Sequence, residues 1–178
     1  MAKAIKCGNH LLEFDRTLIM GILNVTPDSF SDEGFFIDAA RAVEHAKQMV
    51  EDGADIIDIG GESTRPGSEQ ISDEDELARI EPVIKKLAKI NVPMSVDTYK
   101  PFVARKSIEL GAHIINDITG LRNIEMIDLA SELKVPVVVM HMKGEPKNMQ
   151  VNPTYADVVD DIKHYLRDRI SKAKNAGI

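Results

Sequence analysis

A chain of 178 residues, 43% of them hydrophobic, holds enough apolar material for one sizeable core and is short for two ordinary domains. Its formal charge of -7 argues against a surface built to track nucleic-acid phosphate, which needs clustered Lys and Arg. Cys7 is the only cysteine, which excludes an internal disulfide and suits a reducing cytoplasm, and no apolar stretch approaches the roughly 20 residues of a membrane helix.

The N-terminal residues MAKAIKCGNHLLEF carry lysines without an apolar core segment, so they do not read as a signal peptide. The break at Cys7-Gly8-Asn9-His10 predicts a small hairpin. Five short strand-like runs follow, at 18–23, 55–59, 92–96, 113–115 and 135–140, each apolar on both sides. Between them, helical periodicity spans 38–52, with Ala42, Val43, Ala46, Met49 and Val50 on one stripe, and 73–87, with Leu77, Ile80, Ile84 and Leu87 on another. Segments 99–110, 124–133 and 154–176 complete the series. Strand alternating with helix predicts a parallel sheet wrapped by helices.

A weak repeat marks the helix-to-strand joints: Gly53-Ala54-Asp55-Ile56 and Gly111-Ala112-His113-Ile114. Each glycine supplies a left-handed helix cap before the next strand begins. The signal returns as Ala176-Gly177-Ile178, where a sixth strand is expected to start. Five strand-helix units fit either a small doubly wound sheet or the front part of an eight-unit barrel, which typically needs about 250 residues.

In either architecture the ligand site forms at the carboxyl ends of the strands, and all five ends are polar here. Residues 24–32 follow the first run, 60–67 the second, 97–100 the third, 116–120 the fourth and 141–143 the fifth. Some of these polar residues read as helix caps: Asp38 and Asp73 sit where N-caps belong, and Ser72 or Asp73 with Asp75 and Glu76 makes an ordinary acidic first turn. Asp97 is different, because it ends the buried run Met94-Ser95-Val96. A carboxylate there can accept two N–H bonds from an amidine-like edge such as that of a pterin or guanine, and Asn116, one strand over, offers donor and acceptor to the same ring; taken alone, each reads equally well as a structural cap. The loop GGESTRPG at 60–67 combines exposed backbone N–H groups, a Thr hydroxyl and an arginine, suitable for phosphate or diphosphate. His45, His113 and His141 are not at metal-ligand spacing, and Cys7 has no thiolate-activating neighbour in sequence.

Lined up, these strand ends resemble dihydropteroate synthases of the folate pathway. The stretch MGILNVTPDSFSDEG at 20–34 is similar to that family's first-loop signature, and IDIGGESTRPG at 57–67 to its second. SVDTYKP at 95–101 and INDITG at 115–120 resemble its pterin-pocket strands. The resemblance implies a (β/α)8 TIM barrel, present as about its first five units after the hairpin, in one domain over 1–178. It implies a transferase that joins 6-hydroxymethyl-7,8-dihydropterin diphosphate to 4-aminobenzoate, with Mg²⁺ as cofactor.

Carried over by position, the resemblance places Asp97 and Asn116 on the pterin, with Ile118 and Met140 beside the ring. Asn24 would contact the diphosphate-bound Mg²⁺, and Thr64 and Arg65 would bind diphosphate or border the aminobenzoate pocket. Phe30, Ser31, Asp32 and Pro66 would complete that pocket from the loops, with Asp32 and Arg65 in catalytic roles. The family's further pocket residues, an Asp, a Lys and basic groups on strands six to eight, are not among these 178 residues. The expectations are therefore a chain inactive by itself, self-association of an uncovered sheet where the whole family dimerises, and no nucleic-acid or membrane partner. Two other readings are a pterin-dependent methyltransferase domain, not expected to carry NVTPDSFSDEG or ESTRPG, and a non-catalytic pterin-binding module.

Overall fold

The structure is a computed structural model that describes residues 4–26, 35–63, 70–146 and 148–178, with the backbone alone for 35–38. An antiparallel hairpin, β1 (Ala4–Cys7) and β2 (His10–Glu13), opens the chain. Five strand-helix units follow: β3 (Met20–Asn24), α1 (Phe35–Glu51), β4 (Ile56–Gly60), α2 (Asp73–Leu87), β5 (Met94–Asp97), α3 (Pro101–Glu109), β6 (Ile114–Asp117), α4 (Ile124–Leu133), β7 (Val137–Val139) and α5 (Val158–Asn175). The five strands form one all-parallel sheet in the order β3-β4-β5-β6-β7.

The elements begin and end for local reasons. Ser72 caps α2 by accepting from the backbone N–H of Asp75 at 3.0 Å, Asn123 caps α4 through Glu125, and Asp157 caps α5 through Val159 and Asp160. Pro101 opens α3, where its missing N–H costs nothing. The predicted glycine caps hold, with φ of 107° at Gly53, 115° at Gly111 and 88° at Gly177. Three expectations need correction. α1 begins at Phe35, so Asp38 lies inside the helix and is not its cap. Asp73 is the first helical residue, and Ser72 is the cap. Strands β3 to β6 each run one or two residues past the predicted apolar run, because the ladder is made by backbone groups and continues through Asn24, Gly60, Asp97 and Asp117.

The strands are not apolar on both faces, and the register shows why it matters. One face carries the row Leu23, Ile59, Val96, Ile115 and Val137, with Ile57 and Met94 below. This face is sealed by the helices: Leu23, Ile57, Ile59, Val96 and Ile115 are at most 1% exposed and pack with Ala42, Ala46, Ile80, Ile84, Val103 and Met126. The opposite face carries two rows, Ile22, Asp58, Ser95 and Ile114, and above it Asn24, Gly60, Asp97, Asn116 and Val138. A period of two along each strand puts these side chains on the same side of the sheet.

The hairpin closes the amino end of that second face. Cys7 and Leu12 pack against Ile56 and Ile114, with Leu18 and Met20 beside them. Gly8 has φ of 59°, and a Cβ there would come within 2.5 Å of the His113 ring, so the turn demands glycine twice over. His113 is a satisfied structural histidine: its Nδ1 accepts from the Met94 N–H at 3.1 Å and its ring meets His10 edge-on. Cys7 is fully buried and burial raises its thiol pKa, as befits an inert packing residue.

Candidate functional site

The carboxyl end of the second face is where chemistry gathers. Adjacent strands place Asn24, Gly60, Asp97 and Asn116 side by side in one register row. Gly60 leaves a gap between its neighbours: a Cβ there would stand 3.6 Å from both Asn24 Oδ1 and Asp97 Oδ2. Gly61 serves packing, since its Cβ would collide with Ile80 and the Glu76 carbonyl of α2.

Asp97 Oδ1 is buried and has no hydrogen-bond partner among the described residues. Such an acceptor is costly unless a ligand completes it. Burial, reinforced by the charges of Asp58, Glu76, Asp117 and Glu62, pushes the Asp97 carboxyl up to about 7. Asn116 donates through Nδ2 to Asp58 Oδ2 at 2.9 Å. Asp58, 5% exposed, has its pKa raised by burial, with Ser95 and Asn116 opposing the shift.

A second group of charges sits beside this row. Lys100 Nζ donates to Glu62 Oε2 at 2.5 Å and to the Ile71 carbonyl at 2.7 Å, and lies 2.8 Å from Glu76 Oε2. Tyr99 donates its hydroxyl to Glu62 Oε1 at 2.8 Å. Burial raises the pKa of Glu76 and of Tyr99; burial alone would lower that of Lys100, but its bonds to Glu62 and Glu76 raise it. One lysine therefore ties Glu62, two residues past β4, to Ile71, the residue just before the α2 cap. Asp117, fully buried, holds the next turn: Oδ1 accepts from Thr119 N and Oγ1, and Oδ2 from Leu121 N. These bonds set the turn through Gly120 and Leu121, whose φ values are 71° and 57°, and with it the place of buried Ile118.

The predicted residues thus divide three ways. Asp97 and Asn116 are register partners, with Asn24 on the same row two strands away. Ile118 lies just beyond β6, and Met140 just beyond β7, its carbonyl close against Gly120. Phe30, Ser31, Asp32, Thr64, Arg65 and Pro66 lie outside the described residues.

Sequence reasoning passed over Asp58, Glu62, Glu76, Tyr99 and Lys100. Glu76 needs correction outright: it is no ordinary first-turn acid but is 1% exposed beside Lys100. A signal did exist for Asp58, the one charge in the strand Ile56-Ile57-Asp58-Ile59-Gly60. A carboxylate in a buried parallel strand is rarely there for stability.

Residues 20–178 match the family described as pterin binding enzyme. Among curated relatives, the dihydropteroate synthase of Escherichia coli (strain K12) is 48% identical over 168 residues, which is 94% of this chain and 60% of that protein. Among solved structures, Xanthomonas albilineans dihydropteroate synthase with 4-aminobenzoic acid superposes with a TM-score of 0.91 at 45% identity, covering 100% of this chain and 63% of the other. The Burkholderia cenocepacia enzyme complexed with 7,8-dihydropteroate gives 0.85 at 43% identity, covering 98% and 59%. The chain spans about three fifths of the length of the relatives it matches.

Proposed function

Since the chain belongs to the pterin binding enzyme family, we propose that it forms the first five units of a dihydropteroate synthase barrel, in one domain, and carries the pterin-holding part of its site. The observation that carries this reading is the buried Asp97 Oδ1, without a hydrogen-bond partner among the described residues, beside Asn116 at the carboxyl ends of two neighbouring strands. The amino-pyrimidine edge of a pterin supplies the N–H donors that such an acceptor lacks.

In this reading Asp97 and Asn116 hold the pterin, and Ile118 and Met140 flank its ring. The amine of 4-aminobenzoate attacks the exocyclic carbon of the dihydropterin, the carbon–oxygen bond to diphosphate breaks, and the amine gives up a proton to water. Thr64 and Arg65 take the leaving diphosphate, while Phe30, Ser31 and Pro66 shape the aminobenzoate side. Asp32 steadies the positive charge that develops on the pterin carbon or the incoming amine. Positioning the amine supplies much of the rate, as expected for two substrates held in register.

Asn24 fits a role toward Mg²⁺ of one kind only. It offers a neutral amide oxygen at the mouth, and no group of three or more His, Cys, Asp or Glu that could hold a metal occurs among the described residues. That donor set suits an ion that keeps its waters and arrives with the diphosphate, the usual habit of Mg²⁺. When bound there, the ion would neutralise the leaving group.

The same reading puts the protein in the cytoplasm, in keeping with its lone buried cysteine, and no helix among the described residues is long and apolar enough to cross a membrane. The second sheet face also leaves Ile22 65% exposed and Val138 38% exposed. We expect the 178-residue chain to self-associate through this uncovered face, while full-length enzymes of this kind pair as homodimers.

Calorimetry of the 178-residue chain with 6-hydroxymethylpterin tests the core of this reading. Binding should be measurable, should tighten as pH rises from 6 to 8 through the titration of Asp97 near 7, and should weaken at least about tenfold in Asp97→Asn, a loss of one charge-assisted acceptor. Diphosphate release on adding both substrates and Mg²⁺ should be absent. Pterin affinity unchanged by Asp97→Asn would overturn the assignment.

A further inference from the structure

We infer that Asp58 is a positioning residue: it holds the Asn116 carboxamide in one orientation and thereby restricts the pocket to ligands that present an N–H donor edge. The inference rests on the pterin-pocket reading for its ligand, but its geometric part stands on the protein alone.

Asp58 lies one layer below the row of Asp97 and Asn116, and it is on β4 whereas Asn116 is on β6. The 2.9 Å bond from Asn116 Nδ2 to Asp58 Oδ2 therefore crosses the intervening strand β5 diagonally. This is a poor way to build stability. Asp58 is 5% exposed between Ile57 and Ile59, which are fully buried, and its other oxygen, Oδ1, is buried near its register neighbour Ser95 without a hydrogen bond of good geometry among the described residues. A buried carboxyl group held this way is less favourable than an apolar residue of similar volume. Its presence calls for another explanation.

A carboxamide supplies one. The two ends of Asn116 are nearly equal in shape but opposite in hydrogen-bonding sense, and an isolated Asn can present either to a ligand. Asp58 Oδ2 takes the NH₂ end, as the Nδ2 bond shows, and this leaves Asn116 Oδ1 for the pocket. That oxygen then stands in register beside Asp97, and the pocket presents two acceptors side by side. A ligand edge with two donors fits them; an edge with a carbonyl in place of an amino group meets acceptor with acceptor. Sites built around such pairing discriminate strongly, because a mismatched ligand leaves buried polar groups unpaired.

The discriminating ligands are pterin and lumazine, which differ at the 2-position by amino against oxo. Calorimetry should show the unmodified chain favouring pterin by more than about 100-fold. In Asp58→Asn the residue at 58 can accept or donate, Asn116 is free to turn, and the preference should collapse to about 10-fold or less. Thermal denaturation should place this variant at or above the stability of the unmodified chain, because a buried ionisable group has gone. A purely structural role predicts the reverse pattern, with lost stability and retained selectivity.

A second measurement needs neither variant nor ligand. In ¹H–¹⁵N spectra of the free chain, the Asn116 side-chain NH₂ should exchange with solvent at least about tenfold more slowly than that of exposed Asn24, reflecting its bond to a buried acceptor. A slow Asn116 carboxamide in a chain that binds no pterin would uphold the positioning by Asp58 and sink the proposed function. Exchange as fast as at Asn24, or full pterin-over-lumazine preference in Asp58→Asn, would overturn the inference.

Discussion

The two ends of the second sheet face are built from the same strands and obey opposite rules. At the amino end the hairpin residues Cys7 and Leu12 pack on Ile56 and Ile114, and the polar groups nearby, such as His113 Nδ1, are satisfied within the protein. At the carboxyl end, two to four residues further along, buried oxygens of Asp58 and Asp97 lack well-formed hydrogen bonds among the described residues, and a lysine is wedged between two glutamates. Stability is concentrated at the first end and stored electrostatic cost at the second, the division expected of a sheet whose ligand site lies beyond its carboxyl edge.

The largest disturbance should come from the charged group. Lys100→Met removes the cation shared by Glu62 and Glu76, both at most 8% exposed, and should cost about 3–5 kcal/mol in urea denaturation at pH 7, as for other buried ion pairs deprived of one partner. Burial holds the Glu76 pKa above its ordinary value, so the deficit should shrink as the medium is acidified and the carboxylates take up protons. A deficit independent of pH would mean that lost packing, not lost charge, is responsible.

Leu12→Ala opens a cavity under the hairpin and should cost about 2–4 kcal/mol. Because Leu12 is at the amino end, the pterin affinity of the folded fraction should stay within about twofold. A large loss of affinity at constant folded fraction would show that the two ends are coupled and the division above is false.

Asp97→Asn should act with the opposite sign. The folded carboxyl titrates near 7 and an unperturbed one near 3.8, so between these values the folded state binds more protons than the unfolded state. Stability therefore falls as pH rises through that window, and the deficit is complete above about 7. Removing the carboxylate should lift stability by about 1–2 kcal/mol at pH 8, below the ceiling of about 4 set by 1.36 kcal/mol per pKa unit, and change little at pH 4. Melting curves at the two pH values decide it; equal gains at both would show that Asp97 is not the titrating group.

Helices α2 and α4 have the bounds that apolar periodicity predicts, Ser72 is the cap of α2, and the three glycine caps are in place, because these features depend on neighbours within four residues. Asp97 and Asn116 were equally legible, as polar residues ending apolar runs. The pairing of Glu76 with Lys100 and the bond from Asn116 to Asp58 were not, being contacts 24 and 58 residues apart that no local pattern encodes.

The amino-acid sequence by itself determined the alternation of strand and helix, the polar strand ends and the family signatures, since each is a matter of short-range periodicity and backbone preference. Only the tertiary structure decided which carboxylates would be buried together. Parallel register sets β4, β5 and β6 side by side at one level, and that adjacency in a low-dielectric interior turns Asp58, Asp97 and Asn116 from three separate strand residues into one electrostatic unit.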